Sequence, residues 1–160
     1  MGTKATLAER DMRYRKLREA MAREGMSAVI AAGHAAHFRR GHIRYFTDTH
    51  MWAGDALLLI PLEGEPTLAW VSYAGSGWPE EMWVNDVRKA PYPETRVVDA
   101  MKAQKLTKGK VGIAGLKKVM TIGAYRTLTG SLPDVQFVDA DLMVDRIRMR
   151  KSPLELQQYR

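Results

Sequence analysis

The sequence predicts an α/β domain with helices on both faces of a central sheet. Residues 56–60 form an apolar run without alternation, which suits a strand covered on both faces. Glu63-Gly64-Glu65 is a short polar turn between two apolar runs, so residues 55–61 and 66–71 are expected to pair as an antiparallel hairpin. Pro66 is tolerated because it stands first in its strand. A hairpin buried on both sides needs helices above and below, and the flanking sequence must supply them.

Residues 1–6 read as a loose end, and residues 8–24 as a helix with Tyr14, Leu17, Ala20 and Met21 on one stripe. Arg10, Arg13, Arg15, Lys16, Arg18 and Arg23 fill the other side, expected to be a solvated basic face. Gly25 is placed to end the helix as a left-handed cap. Residues 27–32 are a first strand, and residues 43–47 (Ile-Arg-Tyr-Phe-Thr) are read as another before the hairpin. Two glycines and Pro79 mark an irregular loop over residues 72–79. Residues 80–87 suit either a helical turn or a short strand. Pro91 and Pro93 bracket an extended link, after which Val97, Val98 and Met101 give a helix face reaching Leu106. Residues 110–115 are a strand with glycine at its end. Thr121 is placed to cap a helix over residues 122–128, and Gly130 to stop it. Residues 135–138 make a further strand, and a helix over residues 142–148 turns Met143, Val144 and Ile147 inward.

Composition bounds the function. At 160 residues the chain is one ordinary domain, or a domain and a fragment of another, and its 46% hydrophobic content allows a real core. No apolar run approaches a membrane span, and the first residues lack the layout of a signal peptide, so no membrane partner is expected. The absence of cysteine removes disulfides and thiolate metal sites and fits a reducing cytoplasm. The net charge of +7 hints at an acidic partner, but no basic-aromatic motif accompanies it, so nucleic acid is not the expected one.

Three stretches invite a chemical reading. His34, His37 and His42 suggest zinc, since imidazole is its common nitrogen ligand. Arg39 and Arg40 lie between them and repel a cation, so a flexible surface loop is expected instead. Gly112 and Gly115 could hold a phosphate on backbone N–H groups, but they match neither the dinucleotide fingerprint nor a phosphate loop, and close strand–helix packing explains them better. Asp139, Asp141 and Asp145 suggest a magnesium-binding cluster. Aspartates just after a strand also cap and charge the start of the next helix, which is the simpler expectation.

The end of the chain is the most informative piece. Ser152-Pro153-Leu154-Glu155 is a capping box with proline at the first helical position. It announces a helix that the sequence leaves at Arg160 about two turns later, so a continuation is expected.

The order of these pieces resembles the N-terminal domain of the creatinase, prolidase (Xaa-Pro dipeptidase) and aminopeptidase P family. The resemblance runs from about Arg10 to Arg160. Its most specific part is Arg148 to Glu155, similar to that family's Arg-x-x-Lys-Ser-x-x-Glu junction into the catalytic domain. It implies a mixed, mostly five- to six-stranded sheet with helices on both faces, in a ribonuclease H-like layout. It also implies a boundary: residues 1–149 as the N-terminal domain, and residues 150–160 as the junction and first turns of a C-terminal pita-bread catalytic domain. In such proteins that second half carries two divalent metal ions (Mn, Co or Zn), and none of its ligands has a counterpart in this chain. The resemblance thus implies a non-catalytic domain, without cofactor of its own, that shapes the active site of a cytoplasmic metallopeptidase or creatinase-type amidohydrolase. Its partners would be its own catalytic domain, a second subunit in a homodimer, and a peptide or small amide substrate. The loop matching the family's substrate-contacting loop is residues 48–55. There Asp55 stands about where creatinase has an arginine, which makes creatine doubtful as substrate. His50, Trp52 and Asp55 are the candidate substrate contacts, reaching a neighbouring subunit's site.

Two other readings stand beside this one. A free-standing basic nucleic-acid-binding or nuclease-like module would use the charge and the Asp139/Asp141 pair. A domain that only mediates dimerisation would use Trp70, Trp78 and Trp83 as exposed anchors.

Overall fold

The computed structural model describes residues 7–51, 53–71 and 83–158. A six-stranded sheet runs through the domain. Its strands are β1 (Met26–His34), β2 (Asp55–Pro61), β3 (Thr67–Trp70), β4 (Asp86–Lys89), β5 (Gly109–Ala114) and β6 (Val135–Asp139), in the order β4-β3-β2-β1-β5-β6. The predicted hairpin is present: β2 pairs antiparallel with both β1 and β3. The other pairs, β1–β5, β3–β4 and β5–β6, are parallel, so the sheet is mixed.

Both faces are covered. Helices α1 (Leu7–Glu24), α2 (Gly41–Thr47) and α5 (Asp141–Met149) pack on one side, and α3 (Pro93–Ala103) and α4 (Ile122–Ser131) on the other. Alternate strand residues divide accordingly. Val29, Ala31, Leu58 and Ile60 join the core under α1 with Leu17 and Met21, while Ala28, Ile30, Leu57 and Leu59 join the core under α3 with Val97 and Met101. The unalternating run of β2 is therefore apolar because neither side of it meets water.

Helix boundaries follow local chemistry. Gly25 takes φ +66° after α1, as its position predicts. The Thr121 hydroxyl accepts the Ala124 N–H at 3.1 Å and opens α4. That helix runs through Gly130 to Ser131, because Leu128 and Leu132 are buried and hold the extra turn. Residues 80–87 resolve, where described, into the entry to β4.

The segment 43–47 is helix, not strand. Both edges of β1 are already taken by β2 and β5, which leaves no slot for another strand beside it. As α2 the segment buries Ile43, Phe46 and Thr47 on one face. The Thr47 hydroxyl donates to the Ile43 carbonyl at 2.7 Å, and Asp48, at φ 51°, closes the helix by donating its N–H to the Arg44 carbonyl. Tertiary packing here overrides the strand preference of Tyr, Phe and Thr.

Arg13 departs from the expected solvated face of α1. It is 6% exposed, with its guanidinium donating to Glu9 at 3.0 Å and to the Tyr45 carbonyl at 2.6 Å. Arg10 and Arg18 also turn inward at their tips, toward the carbonyls of Trp83 and Pro61. The basic face is in part a set of clamps on loop carbonyls.

Candidate functional site

The carboxyl end of β1 and the start of β2 bring together the loops that carry most of the candidate residues. His34 N–H donates to the Arg39 carbonyl and Ala35 N–H to the Gly54 carbonyl, both at 3.0 Å, which ties the loop after β1 to the loop before β2. Gly54 is at φ +74°, and a Cβ there would stand 2.6 Å from the Val71 carbonyl oxygen. Only glycine permits this approach.

Within this frame Arg40 sits between two imidazoles. Its guanidinium reaches His50 Nε2 at 2.8 Å and His37 Nδ1 at 3.1 Å. A guanidinium can only donate, so each of those ring nitrogens accepts in this arrangement. Burial, and then the charges of Arg40, Arg44 and His37, hold the His50 pKa below the usual histidine range. Arg39 and Arg44 are exposed alongside, and Phe38 is 96% exposed with its ring edge-on to His37. The cluster is cationic with an aromatic at its edge, suited to anionic oxygens of the carboxylate type.

Asp55 opens β2 opposite His34, with its carboxylate 3.9 Å from His34 Nε2. His50 and Asp55 therefore lie at the same end of the sheet, but His50 meets Arg40 of the loop after β1 while Asp55 meets His34, the last residue of β1. Trp52 lies outside the described residues. Sequence reasoning missed Arg40. Its signal was the Arg39-Arg40 pair between histidines, which argued against a metal and equally marks a place for an anion.

The remaining histidine is separate. His42, on α2, lies 3.5 Å from Asp145 of α5, which also receives Arg148 at 3.1 Å. Burial, and then Arg148, lower the His42 pKa. The loop expected to carry all three histidines is thus a short turn followed by a helix, and each ring has its own partner.

The expected capping by the aspartates after β6 is only partial, since Ala140, the N-cap of α5, has no side-chain cap and Asp145 lies within the helix. Asp139 accepts the Asp141 N–H at 2.8 Å and pairs with Lys117 at 2.6 Å. Asp141 accepts the N–H groups of Gly115 and Leu116, so the backbone donors at the glycine-rich end of β5 are occupied by a carboxylate of the same chain. Gly112 is needed for packing: a Cβ there would fall 2.9 Å from Ala140 Cβ. Among the described residues no three His, Asp or Glu side chains gather to hold a metal ion.

Trp70 and Trp83 are not exposed anchors. Both are buried, and the Trp70 indole donates to the Ala53 carbonyl at 3.0 Å. An indole this size contributes more inside the domain than on its surface. Trp78 lies outside the described residues.

At the chain's end the capping box forms as predicted. Ser152 N–H donates to Glu155 at 3.0 Å and Glu155 N–H to the Ser152 hydroxyl at 3.1 Å, opening α6 (Pro153–Gln158). Glu155 also approaches Arg13 at 3.9 Å, so the start of α6 is tied to α1.

The chain is thus a mixed α/β domain with a capped helix at one end and a cationic loop cluster beside β1 and β2. The chain belongs to the creatinase/prolidase N-terminal domain family, whose model matches residues 13–150. Solved structures agree on the fold. An X-Pro aminopeptidase from Thermotoga maritima superposes with a TM-score of 0.69 at 18% identity, over 90% of this chain and 38% of that one. The dipeptidase PepE from Mycobacterium ulcerans gives 0.67 at 17% identity, over 97% of this chain and 40% of that one. An XXA-Pro aminopeptidase structure from Streptococcus pyogenes gives 0.65 at 15% identity, over 89% of this chain and 100% of that one. The chain thus spans about two-fifths of the first two. No curated protein matches it.

Proposed function

We propose that this chain is the non-catalytic N-terminal domain of a metal-dependent Xaa-Pro peptidase or creatinase-type amidohydrolase. The observation that carries the proposal is the family match over residues 13–150, which stops just before the capped start of α6. The domain spans residues 1–149, and residues 150–160 lead into a C-terminal catalytic domain that supplies two divalent metal ions, Mn, Co or Zn. The working protein is a cytoplasmic homodimer acting on a peptide or small amide. Among the described residues no helix is long and apolar enough to cross a membrane, which accords with that setting.

In this proposal the loops beside β1 and β2 face the substrate, with His50, Trp52 and Asp55 as contacts and Arg40 holding the His50 ring. The C-terminal domain would hold the metal ions and supply the hydrolytic chemistry. The N-terminal domain contributes orientation and exclusion of water.

The test has two arms. The 160-residue chain, supplied with Mn²⁺, Co²⁺ or Zn²⁺, should not hydrolyse Xaa-Pro dipeptides. In the complete protein, Trp52→Ala and His50→Ala should alter turnover or selectivity with metal content unchanged. Hydrolysis by the chain alone, or kinetics equal to the parent in both variants, would overturn the corresponding half of the proposal.

A further inference from the structure

Strands β1 and β5 are parallel neighbours, but the chain leaves them in opposite directions. From β1 it passes to β2 on one side, and from β5 it passes through α4 to β6 on the other. Where neighbouring strands diverge in this way, the connections part and a crevice opens beyond the strand ends, which is where open α/β sheets take ligands. A cavity of about 270 Å³ lies there. Its walls are the end of β1, the start of β2 and the first turns of α3 and α4.

The wall is mostly apolar, with Leu57, Pro93 and Met120 among its side chains. Its charged members are Asp55 and Glu94, and among the described residues it is lined by no lysine, arginine or histidine, although the chain as a whole carries +7. Glu94 is half-buried in the first turn of α3 and makes no ion pair among the described residues. Thr121 already satisfies the Ala124 N–H, so the start of α4 is not waiting for an anion. Tyr92 and Ile122, beside the opening, are exposed.

We infer that this cavity is a binding site for a small amphiphilic cation: a protonated amine on a single ring or branched aliphatic group. The apolar wall takes the hydrocarbon and the two carboxylates take the ammonium. The volume, at the small end for ligand pockets, admits a group of about the size of one amino-acid side chain. Asp55, which also lies 3.9 Å from His34 Nε2, is shared with the functional proposal above, but the test reads the α3–α4 side on the chain itself, so the two can fail separately.

The experiment is a titration of the 160-residue chain with cyclohexylamine, followed by backbone amide NMR, with cyclohexanol and cyclohexanecarboxylate as controls. Cyclohexylamine should shift the amides of Gly33, Ala56, Glu94 and Gly123, bind at least about threefold more tightly than the alcohol, and leave the carboxylate as the weakest of the three. Gly123 lines the cavity and a Cβ there meets nothing within 4 Å, so Gly123→Leu should abolish binding without lowering the thermal midpoint. Glu94→Gln should weaken the amine and spare the alcohol, and it decides the matter should Gly123→Leu fail to fold. Equal binding of amine and carboxylate, shifts confined to another part of the chain, full binding by folded Gly123→Leu, or an amine affinity unchanged in Glu94→Gln would each overturn the inference.

Discussion

The Arg13 guanidinium donates a 2.6 Å hydrogen bond to the Tyr45 carbonyl and lies 4.3 Å from the centre of the same residue's ring. One side chain thus grips α2 through its last turn and through an aromatic face, while Glu9 neutralises it from α1. Trp83, with its ring 5.3 Å from the guanidinium, closes the other side. Burial pushes the Tyr45 phenol up to about 12, although Arg13 draws it the other way, so the ring stays neutral at ordinary pH.

Arg13→Met removes the donors from this buried cluster while keeping much of the hydrocarbon. The expected cost is about 3 kcal/mol, because Glu9 and the Tyr45 carbonyl stay buried without the guanidinium. Urea unfolding measures it. A loss within the range of a surface pair, below about 1 kcal/mol, would show that the cluster is not structural.

Two glycines should respond oppositely to alanine. At Gly33 a Cβ would stand 2.3 Å from Ile43 Cγ1 and 3.3 Å from Met51 Sδ, deep in the core, so Gly33→Ala is expected to cost about 2 kcal/mol. At Gly123 the same change meets open space within a helix and should gain roughly 0.5 kcal/mol. Paired thermal melts give the sign of each.

Ser152→Ala deletes the hydroxyl that accepts the Glu155 N–H and should weaken the start of α6 by about 1 kcal/mol. Amide exchange is the appropriate probe. Faster exchange limited to α6 is expected, with the strands unchanged. Uniform acceleration through the sheet would mean that the cap supports the whole domain.

His42 gives the domain a pH-dependent stability. Burial lowers its pKa below 6.5, so in the window between that value and the folded one the unfolded chain binds more protons. The contribution is fully present above 6.5 and is lost as pH falls through the window. Denaturation midpoints taken from about pH 8 to pH 5 should therefore decline, and His42→Gln should flatten the decline. A variant with the parent's slope would assign the effect elsewhere.

Much of the fold was legible because its signals are local. Thr121 and the Ser152/Glu155 pair satisfy helix donors within three residues of themselves, and Gly25 needs only its own φ. The hairpin needed one polar turn and two apolar runs. The site was less legible. Arg40 and His50 are ten residues apart and meet because α2 folds between them in the connection from β1 to β2. Nothing in the spacing of residues 34–42 shows that the three histidines will face three different partners.

By itself the sequence determined the alternation of helix and strand, the two-sided burial of β2 and the capped helix at the end, since each depends on neighbours along the chain. Only the tertiary structure decided that residues 43–47 coil rather than extend, that Arg13 is buried, and that a cavity opens between α3 and α4. Those outcomes depend on which strand edges are already filled and which elements face one another. Both are properties of the assembled sheet, set by contacts between residues far apart in the chain.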